Sequence, residues 1–234
     1  HVLKITRNGD RIKGVSLQPS RNGMEAYQAD FYGWKPADVP PKPDLSDVKY
    51  GEPVELFNGK NLDGWKMLNP NQPNGFKVEN GVLINDPVQN KEQHIYYGNI
   101  RTEQEFEDFN LTLEVNIPEG SNSGVYLRGM YEVQVVDSYG KDLDSHNMGA
   151  LYSRITPSVA AEKPAGEWQT MDITLYKRHL TVKLNGTTII DNEPVLGPTG
   201  GAISADIYSP GPIYLQGDHG KVLYRNMVLT PIKK

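Results

Sequence analysis

Between Gly124 and Tyr139 the chain reads Gly-Val-Tyr-Leu-Arg-Gly-Met-Tyr-Glu-Val-Gln-Val-Val-Asp-Ser-Tyr. Two strand-like runs, residues 125–128 and 131–136, flank Gly129-Met130. Side chains alternate along a strand, so Glu132 and Gln134 share one face while Tyr131, Val133 and Val135 share the other. A carboxylate and an amide on one face of an otherwise apolar strand either meet water outside a sandwich or line a site. Asp137 joins that face if a one-residue bulge falls near Val135-Val136. The result is a row, Glu132-x-Gln134-x-x-Asp137, able to line a concave sheet. Downstream, Asp142-Leu143-Asp144-Ser145-His146-Asn147 is a polar loop rich in oxygen donors. It is either a solvated loop or, with Glu132 or Asp137, a place for a divalent cation, because imidazole and carboxylates suit several such ions. It contains no tight ligand motif, so no metal ligands are assigned.

A frame of short strands must position these groups. Asn80-Gly81 separates residues 76–79 from 82–84, and Asn185-Gly186 separates 180–184 from 187–190. Asn-Gly accepts positive φ and suits two-residue hairpins. Residues 109–117 alternate cleanly, and 170–176, 211–216 and 222–230 bring the total to about ten or more strands, as an antiparallel sandwich requires. The helix candidates are short: 88–93, 101–106 and 158–161. At the amino-terminal end, residues 2–6 and 12–17 flank Asn8-Gly9 as one more hairpin. An isolated hairpin is barely stable, so this one packs on the main domain or is the end of a preceding domain. Arg21-Asn22-Gly23 follows, then an aromatic group, Tyr27, Phe31, Tyr32 and Trp34, able to anchor the segment to a neighbour. Four prolines between residues 35 and 43 read as an extended linker. The expected division is 1–44 for hairpin and linker, and 45–234 for the main β domain.

Composition narrows the function classes. The 234 residues carry a net charge of −5 and an isoelectric point near 5.6, which argues against a nucleic-acid binder. No apolar run is long enough for a transmembrane helix. The absence of cysteine removes disulfides, thiolate metal sites and a cysteine nucleophile. With 23 Gly, 17 Pro and 13 Tyr, the chain favours strands and turns. There is no glycine-rich nucleotide loop between a strand and a helix.

Leu56-Phe57-Asn58-Gly59-Lys60-Asn61-Leu62-Asp63-Gly64-Trp65 resembles the opening signature of the 3-keto-disaccharide hydrolase family. Three further blocks agree in order. They are residues 123–129 with Tyr131-Glu132-Val133-Gln134-Val135-Val136-Asp137, then Pro164-Ala165-Gly166-Glu167-Trp168, then Leu215-Gln216-Gly217-Asp218-His219-Gly220 with Tyr224-Arg225-Asn226. Gly217 is an insertion relative to the family's Leu-Gln-Asp-His-Gly. The resemblance covers about residues 52–232. It implies an all-β, antiparallel two-sheet jelly-roll sandwich of the concanavalin A-like lectin/glucanase type, with sugar on the concave sheet. It also implies export to the periplasm or cell surface of a glycan-consuming bacterium.

What the resemblance implies chemically is the cleavage of a 3-keto-glycoside. The C3 carbonyl acidifies the C2 hydrogen, a base removes it, and the C1 substituent leaves by elimination; water then adds, for net hydrolysis. Such a site needs a base, donors to the enolate oxygen and an acid for the leaving oxygen. Glu132 or Asp137 would be the base. Arg128, His219 or a bound cation would stabilise the enolate, and His146 or a carboxylic acid would protonate the leaving group. Trp168 would stack on sugar or belong to the core, and Tyr152 and Gln216 would bond sugar hydroxyls. Arg128 has the simpler option of pairing with Glu132, and His219 of being a surface-turn residue. Two other readings stand beside this one: a lectin-like binding module, and an ordinary glycoside hydrolase. Glycosidases of this fold carry Glu-x-Asp-x-x-Glu, whose spacing Glu132, Gln134 and Asp137 share, but Gln134 cannot ionise. The partner expected is an oligosaccharide or glycoside; linkage, aglycone and oligomeric state are not assigned.

Overall fold

The computed structural model describes residues 2–20, 26–35, 38–90 and 92–233. The chain divides into two compact units, His1–Asp38 and Val39–Lys234. In the first, β1 (Val2–Asn8), β2 (Arg11–Pro19) and β3 (Ala26–Trp34) form an antiparallel meander. Asn8 pairs with Arg11, so the turn is Gly9-Asp10 rather than Asn8-Gly9, with Gly9 at φ +60°. The aromatic group lies on β3, where Tyr27, Tyr32 and Trp34 are exposed. Arg21-Asn22-Gly23 lies outside the described residues.

The larger unit opens with β4 (Val54–Glu55), β5 (Trp65–Met67), β6 (Phe76–Glu79), β7 (Val82–Asn85) and β8 (Ile100–Thr102). It continues with β9 (Phe109–Asn116), β10 (Asn122–Leu127), β11 (Tyr131–Val136), β12 (Trp168–Tyr176) and β13 (His179–Leu184). It closes with β14 (Thr187–Pro194), β15 (Tyr214–Leu215) and β16 (Val222–Pro231). One sheet runs β11-β10-β15-β8-β5; the other runs β14-β13-β12-β9-β16-β7-β6, with β4 also on β16. All pairings are antiparallel. Asn80-Gly81 and Asn185-Gly186 make the expected tight turns, each residue at a φ between +51° and +83°.

The sandwich closes because both sheets turn an apolar face inward. Phe109, Leu111, Leu113 and Val115 on β9 face Val125, Leu127, Tyr131, Val133 and Val135 on the β10–β11 hairpin across one core. Each such buried side chain contributes about 1.5–3 kcal/mol. Trp65 and Phe57 belong to this core, and the Trp65 indole donates to the Leu56 carbonyl at 2.6 Å. None of the short helix candidates forms among the described residues. Residues 101 and 102 lie in β8, Phe106 bridges Gly211, and residues 158–161 and the described part of 88–93 are irregular. Segments this short do not offset the cost of nucleating a helix.

Candidate functional site

The β10–β11 hairpin is the centre of the five-stranded sheet's chemistry. Its odd-numbered β11 residues enter the core, so Glu132 and Gln134 face the other side. Register places Glu132 opposite Tyr126, Tyr126 opposite Tyr214, Tyr214 opposite Arg101 and Arg101 opposite Lys66. One row therefore crosses the whole sheet, from a carboxylate through two tyrosines to two cations. In the next row Gln134 pairs with Gly124, whose carbonyl accepts from the Gln216 amide at 3.1 Å.

Glu132 is only 3% exposed although it lies on the face away from the core. Residues 149–152 run along β11 and close that edge. The Gly149 amide donates to the Gln134 carbonyl at 2.8 Å, and the Tyr152 amide to the Glu132 carbonyl at 3.0 Å. From the other direction the Thr199 hydroxyl accepts from the Glu132 amide at 2.9 Å. The Tyr126 and Tyr214 rings stack at 3.8 Å, and their hydroxyls donate to the Gly200 and Gly201 carbonyls at 2.8 and 2.6 Å. Burial raises both phenols above the usual tyrosine range.

Burial also pushes the Glu132 carboxyl up to about 7, with the Tyr126 hydroxyl pulling the other way. The side chain folds over Gly124, where an added Cβ would collide with the Glu132 carboxylate. Glycine at 124 is thus the space the acid occupies. On either side of it, Gln134 Oε1 and Gln216 Oε1 are buried acceptors with no protein donor. Native interiors rarely leave such groups unpaired, so these two oxygens point to hydroxyl donors from water or a ligand. The Gln134 amide nitrogen donates to Asn122 Oδ1 at 3.2 Å.

A recess of about 430 Å³ adjoins Gln134, lined also by Asn122, Val136, Ser138, Asp142, His146 and Tyr152. His146 stands at its lip, half exposed. Its Nδ1 bonds the Asp144 carboxylate, its Nε2 lies 2.7 Å from Ser153 Oγ, and Tyr152 packs edge-on at 4.9 Å.

The structure therefore brings together Glu132, Gln134, His146, Tyr152 and Gln216. The remaining sequence candidates lie elsewhere. The β10–β11 ladder stays in register through Asn122–Val136, so the bulge expected near Val135-Val136 is absent. Asp137 accordingly remains out of phase with Glu132, and its carboxylate accepts from the Gly120 amide at 2.9 Å, fastening the preceding turn. Arg128 is not on an inner strand. It opens a three-residue turn at φ +54°, and its buried guanidinium donates to the Ile207 carbonyl at 2.9 Å and to the Ser209 carbonyl. It ties down the loop after Thr199 and does not pair with Glu132. Trp168 lies on β12 in the opposite sheet, under the Arg225 guanidinium at 3.9 Å. His219 is half exposed beside Asp218, at 3.8 Å. Gly217, read from the sequence as an insertion, packs on Gly98 and donates to Asn99 Oδ1 at 2.9 Å, with no room for a side chain. Among the described residues no three His, Cys, Asp or Glu side chains converge to hold a metal ion. Sequence reading passed over Tyr126, Tyr214, Gly124 and Thr199. Tyr126 could have been found by pairing the two runs across their turn; Tyr214 and Thr199 reach the site from distant segments and give no local signal.

A sequence profile for 3-keto-alpha-glucoside-1,2-lyase-like domains matches residues 52–230. The 3-keto-disaccharide hydrolase of Bacteroides thetaiotaomicron is 24% identical over a stretch covering 59% of this chain. That stretch spans 57% of the length of the relative. A candidate glycosyl hydrolase from Parabacteroides distasonis superposes with a TM-score of 0.60 at 27% identity, covering 82% of this chain and 93% of that one. A second from the same organism gives 0.61 at 21%, covering 77% and 94%. The two packed antiparallel sheets form a jelly-roll sandwich of the concanavalin A-like type.

Proposed function

The chain belongs to the family of 3-keto-alpha-glucoside-1,2-lyase-like domains, and from that premise and the buried acid we propose that it cleaves 3-keto-glycosides, 3-keto-disaccharides among them, by elimination. Glu132 carries the reading. It is the one carboxylate in the cross-sheet row, it lies two residues along β11 from Gln134, which lines the recess, and its pKa of about 7 matches a proton acceptor working at neutral pH. Gln134 in place of a second acid, and Asp137 fastened to Gly120, argue against a paired-carboxyl hydrolysis.

In this mechanism Glu132 takes the C2 proton, and the C2–H electron pair becomes the enolate with charge on the C3 oxygen. The carbonyl then re-forms, a C1–C2 double bond appears, and the C1–O bond breaks. Its electron pair leaves on the aglycone oxygen, which takes the proton from the Glu132 carboxylic acid. Water adds at C1 and a proton at C2, for net hydrolysis. Gln134 and Gln216 accept from sugar hydroxyls, satisfying their orphaned oxygens. Tyr152 and His146 meet the sugar at the lip. By family resemblance the enzyme acts in the periplasm or at the cell surface.

The test is turnover of one glucoside in its ordinary and 3-oxidised forms, run in D2O. Elimination followed by water addition predicts cleavage of the 3-keto form alone, with deuterium at C2 of the released sugar. Cleavage of the ordinary form without C2 exchange would replace this reading by conventional hydrolysis, and binding without cleavage would leave a lectin.

A further inference from the structure

We propose that Ser153, His146 and Asp144 form a second reactive centre at the lip of the recess, in which Ser153 is a nucleophile toward small acyl esters. The three side chains are in chemical sequence. Asp144 Oδ1 bonds His146 Nδ1 and also accepts from the His146 amide at 2.8 Å, so one carboxylate holds both ring and backbone. In the tautomer that places Nδ1–H on the carboxylate, Nε2 turns its lone pair toward the Ser153 hydroxyl, 2.7 Å away. That is the tautomer and direction a general base for serine needs. The edge-on Tyr152 ring at 4.9 Å keeps the imidazole from swinging away.

The backbone of Ser153 is a second, independent observation. It has φ +56°, a left-handed conformation that suits glycine better than serine. It sits at the crest of a sharp turn in which the Arg154 and Ile155 amides both donate to the Leu151 carbonyl, at 2.8 and 3.0 Å. The Ser153 amide donates to the Ser145 carbonyl at 3.0 Å, which binds this turn to the His146 loop. Nucleophilic serines are commonly presented on strained, sharp turns of this kind. Ser153 is exposed and His146 half exposed, so an ester can reach both. Glycoside elimination by Glu132 does not use Ser153.

In the first step Ser153 Oγ attacks the ester carbonyl carbon and its proton passes to His146 Nε2. The tetrahedral adduct collapses, the ester C–O bond breaks, and the alcohol departs with that proton. Water, deprotonated by the same nitrogen, then releases the carboxylic acid and frees the serine. Because His146, Asp144 and the neighbouring Tyr152 line the recess beside Gln134, the ester class the centre fits is an O-acyl group on a sugar; that choice of alcohol rests on the proposed glycoside function, whereas the reactive serine does not.

The experiment treats the full chain with a fluorophosphonate probe and maps the label by peptide mass spectrometry. In parallel it measures hydrolysis of p-nitrophenyl acetate and of an acetylated glucoside, and cleavage of a 3-keto-glucoside. The proposal expects the label on Ser153. In Ser153→Gly, a change the left-handed backbone favours, it expects ester hydrolysis to fall at least tenfold while 3-keto-glucoside cleavage stays within twofold. Absence of label on Ser153, or equal ester hydrolysis in Ser153→Gly, overturns it. Hydrolysis of p-nitrophenyl acetate through Ser153 with no action on the acetylated glucoside supports the nucleophile and removes the sugar ester as its substrate. Loss of 3-keto-glucoside cleavage in the parent protein removes the glycoside reading and leaves the serine result standing.

Discussion

Replacing Glu132 by Gln should stabilise the protein at alkaline pH while abolishing its chemistry. Burial moves the carboxyl from an ordinary 4.5 to about 7 in the fold. Below about pH 4.5 folded and unfolded chains both hold the proton, and burying the acid carries no ionic cost. Between about 4.5 and 7 only the folded chain keeps it, so stability falls as pH rises. Above 7 the ionised group is buried and the full cost, roughly 3 kcal/mol, is present. A carboxamide has almost the same shape and no such dependence. Urea unfolding of both proteins, followed through the buried Trp65, should therefore show nearly equal stability at about pH 4.5. By about pH 8.5 Glu132→Gln should lead by about 2–3 kcal/mol, a rise in Tm of roughly 4–10 °C for a domain of this size. A difference that stays flat across this range would refute the claim that burial governs this carboxyl. A variant that gains the stability yet keeps parental turnover would remove Glu132 as the base.

The same pKa predicts that kcat/KM for a 3-keto-glucoside rises with pH through an apparent pKa near 7, since the base must be ionised; a profile flat from pH 5 to 9 speaks against it. Gly124→Ala forces the Glu132 carboxylate out of its place. It should lower kcat/KM by about 100-fold for a stability loss of only about 1–3 kcal/mol, read by kinetics and denaturation together. Gln134→Met removes a buried acceptor that lacks a donor; the free protein should be as stable or more so, while KM rises by about tenfold, worth about 1.4 kcal/mol of lost hydrogen bonding. Arg128→Ala leaves the Ile207 and Ser209 carbonyls without their donor. It should cost about 2–4 kcal/mol of stability with kcat nearly unchanged in the folded fraction, whereas a loss of kcat at full stability would return Arg128 to the chemistry.

The readable part of this chain was its local part. Period-two alternation identified residues 109–117 and 131–136 as strands, and Asn80-Gly81 and Asn185-Gly186 marked turns that formed as read. The four family blocks pointed to the fold and the family, and the family profile covers the same stretch. Glu132 and Gln134 were placed on one face by the geometry of a strand alone, and the ladder register keeps them there, at the centre of the candidate site.

Everything that required a register or a distant return was decided by the tertiary structure. The β10–β11 ladder runs without a bulge, which separates Asp137 from Glu132. A three-residue turn takes Arg128 off the strand and gives it to the loop carbonyls of Ile207 and Ser209. Tyr214 arrives beside Tyr126, and Thr199 beside the Glu132 backbone amide, from more than sixty positions away, and it is burial in the folded sheet that lifts the Glu132 pKa. Ser153 meets His146 only because the chain turns back along β11 after Gly149. Alternation and turn propensity are properties of a few adjacent residues, so a sequence displays them. Burial, pKa and cross-strand partnership depend on which segments the hydrophobic core brings together, and those are set only when the two sheets close on each other.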